Sequence, residues 1–305
     1  MYMYVLHTIQ GTWIPIYVVN KELTFLFLLK IDRYWLYIPS LLHATALIIW
    51  HHPLFNLLKL SDFTTTHSRS MLVCRMISLH YNFQLLPETL SLAVNILDRV
   101  LTKRSVVMEN ELELIGVTSL LISSKFHDTY QEPQHQKLVD YLKGKMCHKF
   151  HTLQKKVTHT ENDVIKMERD ILTRVDYRIS VPTAYTFLYM FLDATGGLAN
   201  QDIIQDASFI LDSTLVIYHL LEYLPSEIAC GCILIARMAN GSAPWSEDFA
   251  TYTTYSKEDV MPIAFSILST ISQMKDTLDL RWIGAKYDRL NSSKISKLNE
   301  LYSYM

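Results

Sequence analysis

Residues 114–126 read Leu114-Ile115-Gly116-Val117-Thr118-Ser119-Leu120-Leu121-Ile122-Ser123-Ser124-Lys125-Phe126, and they decide the fold. From Ile115 to Ser124 nearly every position is apolar or small. A helix without a polar face is buried among other helices. The small residues let those neighbours come close. A second stretch mirrors the first: Ile228-Ala229-Cys230-Gly231-Cys232-Ile233-Leu234-Ile235-Ala236-Arg237 again sets small and apolar residues before a base. Lys125 and Arg237 stand 112 residues apart. Two central helices of one kind predict two similar helical domains in tandem.

Upstream of this run, Leu72, Met76, Leu79 and Phe83 recur at helical spacing in a helix from Ser68 onward. Pro87 suits a first helical position, where its missing N–H has no intrahelical partner. Leu90, Val94, Leu97 and Leu101 then mark one face of a helix ending near Leu101. The central helix spans about Glu109 to Phe126, and another helix lies near Tyr141. Thr160-Glu161-Asn162-Asp163 opens a capped helix that ends near Val175. Ser180-Val181-Pro182 marks a boundary, because the residue before proline avoids helix. The second half reads as helices at about 183–194, 201–223, 226–239 and 257–275, the last with a capped start at Ser256-Lys257-Glu258-Asp259.

Composition agrees. Only 8 glycines and 9 prolines interrupt 305 residues, which leaves room for long helices and argues against a many-turned β-sandwich. The net charge of −2 predicts no strong attraction to nucleic acid or anionic membranes. Four cysteines are too few for a disulfide framework, so a reducing compartment is the expectation. Residues 1–60 are atypical. They hold only six charged side chains, and Tyr34–Leu58 holds none. Pro39 and Pro53 bracket a stretch too short to span a bilayer, which needs about 20 apolar residues. The expectation is an apolar segment outside the fold, with a membrane role disfavoured. The start of the chain lacks the basic region of a signal peptide.

The order and spacing of several motifs resemble the cyclins, specifically the mitotic A/B type. The motifs are Leu85-Leu86-Pro87-Glu88-Thr89-Leu90, Asn95-Ile96-Leu97-Asp98-Arg99-Val100-Leu101, Leu114-Ile115-Gly116-Val117-Thr118, Ser124-Lys125-Phe126, Lys166-Met167-Glu168 and Ser180-Val181-Pro182-Thr183. Tyr223-Leu224-Pro225-Ser226-Glu227-Ile228-Ala229 follows in the second half, then Lys286-Tyr287 and Lys294-Ile295-Ser296. The resemblance implies an all-α fold of two tandem five-helix cyclin boxes. The N-terminal box falls at 61–180 and the C-terminal box at 181–305.

It also implies a function that spacing alone does not give. The chain would be a regulatory subunit, not an enzyme. It would bind and activate a cyclin-dependent Ser/Thr protein kinase in G2/M control, with the kinase's protein substrates as further partners, in nucleus and cytoplasm. No cofactor or nucleic acid is expected. Lys125 matches the family lysine that donates to backbone carbonyls beside the kinase C-helix, and Glu168 the glutamate that accepts from N–H groups there. Ile122, Phe126, Leu172, Tyr177 and Ile179 match apolar positions facing the kinase. Alone, Lys125 and Glu168 would read as solvated charges and the apolar residues as core. Arg69 and Asp98 match a structural ion pair between the first two helices.

The family's docking patch for Arg-x-Leu substrates is altered. Met71 and Leu72 keep its apolar floor. Arg75 stands where the family has tryptophan, Ser78 where it has an acid, and Glu113 where it has glutamine. Arg75 is placed to pair with Glu113 and to repel a ligand arginine. A basic insertion near 143–158 carries Lys143, Lys145, Lys149, Lys155 and Lys156 without an acid. It reads as a mobile loop, or as a contact for an acidic partner. Cys147, His148, His151 and His159 lack a complete metal-ligand spacing. Arg33-Tyr34-Trp35-Leu36 is a minimal match to a degradation motif and reads as chance. Two other functions compete: a cyclin-fold adaptor or scaffold without kinase activation, and a membrane-tethered helical protein resting only on Tyr34–Leu58.

Overall fold

The computed structural model describes residues 5–9, 12–16, 30–31, 34–35, 63–103, 109–127, 132–144 and 158–274. Ten α-helices occur among them: α1 (Phe63–Asn82), α2 (Pro87–Thr102), α3 (Glu109–His127), α4 (Glu132–Leu142), α5 (Glu161–Arg174), α6 (Ala184–Ala194), α7 (Gln201–Val216), α8 (Pro225–Ala239), α9 (Glu247–Thr253) and α10 (Lys257–Met274). The boxes are all-α, as expected. Outside them the N-terminal segment forms two short antiparallel hairpins, β1 (Val5–Ile9) with β2 (Thr12–Ile16), and β3 (Lys30–Ile31) with β4 (Tyr34–Trp35). Val, Ile, Thr, Trp and Tyr favour strands, and Pro15 is tolerated because each strand of a hairpin is an edge. The rest of Tyr34–Leu58, most of the basic insertion with Cys147, His148 and His151, and the motifs after Met274 lie outside the described residues. Among the described residues no helix is long and apolar enough to cross a membrane.

The two predicted central helices are central. α3 packs against α1, α2, α4 and α5, and α8 against α6, α7 and α10. Ile115, Val117, Leu120, Ala229, Cys230, Cys232 and Leu234 are fully buried. Glycine enables the close approaches. A Cβ on Gly116 would lie 2.8 Å from the Leu72 side chain of α1, and one on Gly231 3.0 Å from Ile267 of α10.

Caps sit where the sequence sets them. Thr160 Oγ1 accepts from the Asp163 N–H, and Asp163 accepts from the Thr160 N–H at 2.8 Å. Those hydrogen bonds hold the Asp163 carboxyl below its ordinary range. Ser256 and Asp259 form the same reciprocal pair.

Three elements differ from expectation. α1 starts at Phe63, ahead of Ser68. The helix read at 201–223 is two elements. α7 stops at Val216, Ile217 turns extended, and a 3₁₀ turn covers His219–Glu222. The cause is tertiary: the carbonyls of Leu215 and Val216 turn to side chains on α1. α9 was not anticipated, although Ser246 caps it and Glu247 and Asp248 favour its positive end.

Candidate functional site

α3 and α5 pack side by side and place Lys125 against Glu168. Lys125 Nζ donates to Glu168 Oε1 at 2.7 Å, with side-chain exposures of 45% and 22%. This is a surface pair, and such pairs add little to stability. What it provides is a preset arrangement of one cation and one anion, each still open to solvent.

Apolar side chains accompany it. Phe126, beside Lys125, is 37% exposed, and Tyr177, just past α5, is 58% exposed. Leu172 and Ile179 are half-buried and rest on the core. Ile122 is only 3% exposed, so it belongs to the core and not to this surface. It lies on the inward side of α3, as the apolar run around it requires. Sequence reading missed Ile165, which is 48% exposed. Its spacing carried the signal: Ile165, Glu168 and Leu172 are three and four residues apart, hence one stripe of α5.

The turn that carries Tyr177 is held by α2. Asp176 and Tyr177 both have positive φ, 55° and 56°, a conformation uncommon for side-chain-bearing residues. The Tyr177 N–H closes the turn on the Leu172 carbonyl at 2.8 Å. Arg99 donates to the carbonyls of Arg178 at 2.7 Å and Val175 at 3.0 Å. Lys103 donates to the Arg174 carbonyl and to Asp176 Oδ2, the latter at 3.0 Å. Burial pushes Arg99 down, and the Asp176 charge opposes this. Asp176 lies below the usual carboxylate range because Lys103 donates a hydrogen bond to it and sits close as a cation. Neither basic residue was singled out from sequence, since both roles come from packing.

Arg69 and Asp98 form a buried bidentate pair, Nε to Oδ1 at 2.7 Å and Nη2 to Oδ2 at 2.8 Å. Arg69 is 1% exposed. Burial alone would push it down. The Asp98 charge and hydrogen bonds outweigh burial, and the net direction is up. The pair also reaches the second box: Arg69 Nη1 donates to the Leu215 carbonyl at 3.1 Å, and Ser70 Oγ to that of Val216 at 3.0 Å. Carbonyls at a helix C-terminus lack intrahelical donors, so α1 supplies the missing partners of α7.

The altered patch is closed on itself. Arg75 Nη1 meets Glu113 Oε1 at 2.5 Å, and Tyr141 donates to the same oxygen at 2.9 Å. Leu72 is buried and Met71 half-buried beside them. Ser78 accepts from Asn82. From the insertion, Lys143 pairs with Glu161 at 2.8 Å, and that hydrogen bond raises it. Arg237, the sequence counterpart of Lys125, folds back. It covers the Phe249 ring at 4.8 Å and donates to the Ala243 carbonyl at 2.8 Å. Only the first box therefore offers the exposed base of its central helix.

Comparison with known proteins agrees with this architecture. The profile of the cyclin N-terminal domain matches residues 42–180, and that of the cyclin C-terminal domain residues 182–301. G2/mitotic-specific cyclin-B of Spisula solidissima is 29% identical over 239 residues, covering 78% of this chain and 52% of the relative. Cyclin-B2-1 of Arabidopsis thaliana is 30% identical over 230 residues, covering 75% and 49%. The chain thus spans about half the length of these relatives. The crystal structure of a viral cyclin from herpesvirus saimiri superposes with a TM-score of 0.58 at 19% identity, covering 80% of this chain and all of the other, and supports the fold. With both domains matched in order and its relatives named as mitotic B-type members, the chain belongs to the cyclin family.

Proposed function

We propose that the chain is a regulatory subunit that binds and activates a cyclin-dependent Ser/Thr kinase in G2/M control. The observation that carries this is the Lys125–Glu168 pair on adjacent helices, flanked by exposed Phe126, Ile165 and Tyr177. An ammonium suits backbone carbonyls and a carboxylate suits backbone N–H groups. The apolar side chains supply area that water leaves on docking. Activation then follows from differential affinity, with the active kinase conformation bound better than the inactive one. Moving a kinase from about 1% to about 99% active needs roughly 10⁴-fold preference. The chain takes no chemical step itself, and the reading places it in nucleus and cytoplasm.

The test is co-purification of the full chain from dividing cells. A cyclin-dependent kinase should accompany it and phosphorylate Ser/Thr substrates faster than the kinase alone. A bound kinase without a gain in activity would favour the adaptor reading. Failure of the folded chain to bind any such kinase would overturn the proposal and leave the scaffold reading.

A further inference from the structure

We propose that the cavity between the two boxes is a binding site for a neutral amide group. It has a volume of about 90 Å³, enough for one amide group with a short substituent, and lies between α2 and the α7–α8 region. Val94, Leu220, Leu221 and Ile228 form its apolar wall, while Ser91 and Asn95 line it from α2. Those two residues are 5% and 6% exposed. Among the described residues, Ser91 Oγ and both polar side-chain atoms of Asn95, Nδ2 and Oδ1, are buried without a hydrogen-bond partner.

Buried polar groups in folded proteins are normally paired. Ser91 and Asn95 stand one helical turn apart on one face of α2, so their groups serve the same space. The free carboxamide offers one acceptor and two donors, and the hydroxyl can do either. Their complement is a ligand group with a carbonyl and an N–H side by side.

Charge at the cavity selects against ions. Arg69 and Asp98 also line it, but each is already engaged by the other, and Arg69 additionally by the Leu215 carbonyl. The floor is therefore neutral, and an ion would lose its hydration without gaining a free counter-charge. The aliphatic wall favours a short apolar substituent next to the amide. Half-buried Leu221 and Tyr223 carry the wall toward the surface. The amide can thus belong to a peptide chain or to a small molecule.

The experiment titrates the ¹⁵N-Asn-labelled full chain with isobutyramide, N-acetylalanine methylamide and isobutyrate. The carboxamide signals of Asn95 are identified by their loss in Asn95→Leu. Both amides should shift those signals at millimolar concentration, and isobutyrate should not. Asn95→Leu should keep or raise the thermal midpoint, because no hydrogen bond to a described residue is lost, and should weaken amide binding about tenfold, read in the variants by saturation transfer to the ligand's own protons. Should that variant not fold, Ser91→Ala should still weaken binding about threefold. Tighter binding of the peptide analogue would assign the amide to a peptide, and tighter isobutyramide binding to a small molecule. Three results would overturn the proposal: no shift with either amide, isobutyrate binding as tightly as isobutyramide, or undiminished amide binding in the folded variants.

Discussion

Arg69 shows how much one side chain can hold. Its guanidinium satisfies Asp98 on α2 and a terminal carbonyl of α7, so one residue joins the first two helices and the two boxes. Asp98→Ala should destabilise the chain by about 3–5 kcal/mol, the cost of leaving a buried charge unpaired. Thermal or denaturant unfolding measures it, and an unchanged midpoint would contradict the buried geometry. The Arg69–Asp98 pairing was legible through the motif. The Leu215 and Val216 contacts were not, because they join residues about 146 apart that only packing brings together. The Arg75–Glu113 pair was legible from the replacement of an indole by a base. It predicts substrate choice: an Arg-x-Leu peptide should bind poorly, since its arginine meets Arg75 and finds no acid at Ser78. Arg75→Trp with Ser78→Glu should improve binding at least tenfold, as a charge-assisted hydrogen bond contributes about 1.5–3 kcal/mol. Fluorescence anisotropy reads the change, and no gain in the folded double variant would show that this surface does not take the motif.

Among the elements, the central helices were the most readable and the ends the least. The run at Ile115–Ser124 has no polar side, so its surroundings follow from composition. Its contact with α1 depends on Gly116, against which Leu72 packs. Gly116→Val should overpack that contact and cost about 1–3 kcal/mol, seen as a lower thermal midpoint. An unchanged midpoint would mean that α1 and α3 separate without penalty. The end of α7 was misplaced because residues 217–223 remain apolar and periodic, while the carbonyls that end the helix find partners on α1. The short α9 was overlooked because seven residues give little periodicity. The turn at Asp176–Tyr177 was likewise out of reach. Nothing local in the sequence announces positive φ at two residues that are not glycine. Arg99 and Lys103 make that conformation tenable from another helix.

For the whole molecule, two boxes of one plan diverge in what they present. The first exposes Lys125, while the second tucks the equivalent Arg237 over Phe249. Sequence reading found the repeat and the charged pair. It could not separate surface from core among apolar positions, which is why Ile122 proved buried and Ile165 was missed. The central claim is that Lys125 and Glu168 act on the kinase individually and not merely on each other. The measurement that tests it most directly is kinase activation by the charge-swapped chain, Lys125→Glu with Glu168→Lys. The swap preserves the surface pair, so the thermal midpoint should stay within about a degree or two, in keeping with the small worth of exposed pairs. Activation should nevertheless fall at least tenfold, because the cation and the anion now face the wrong backbone groups. Full activation by the swapped chain would contradict the account.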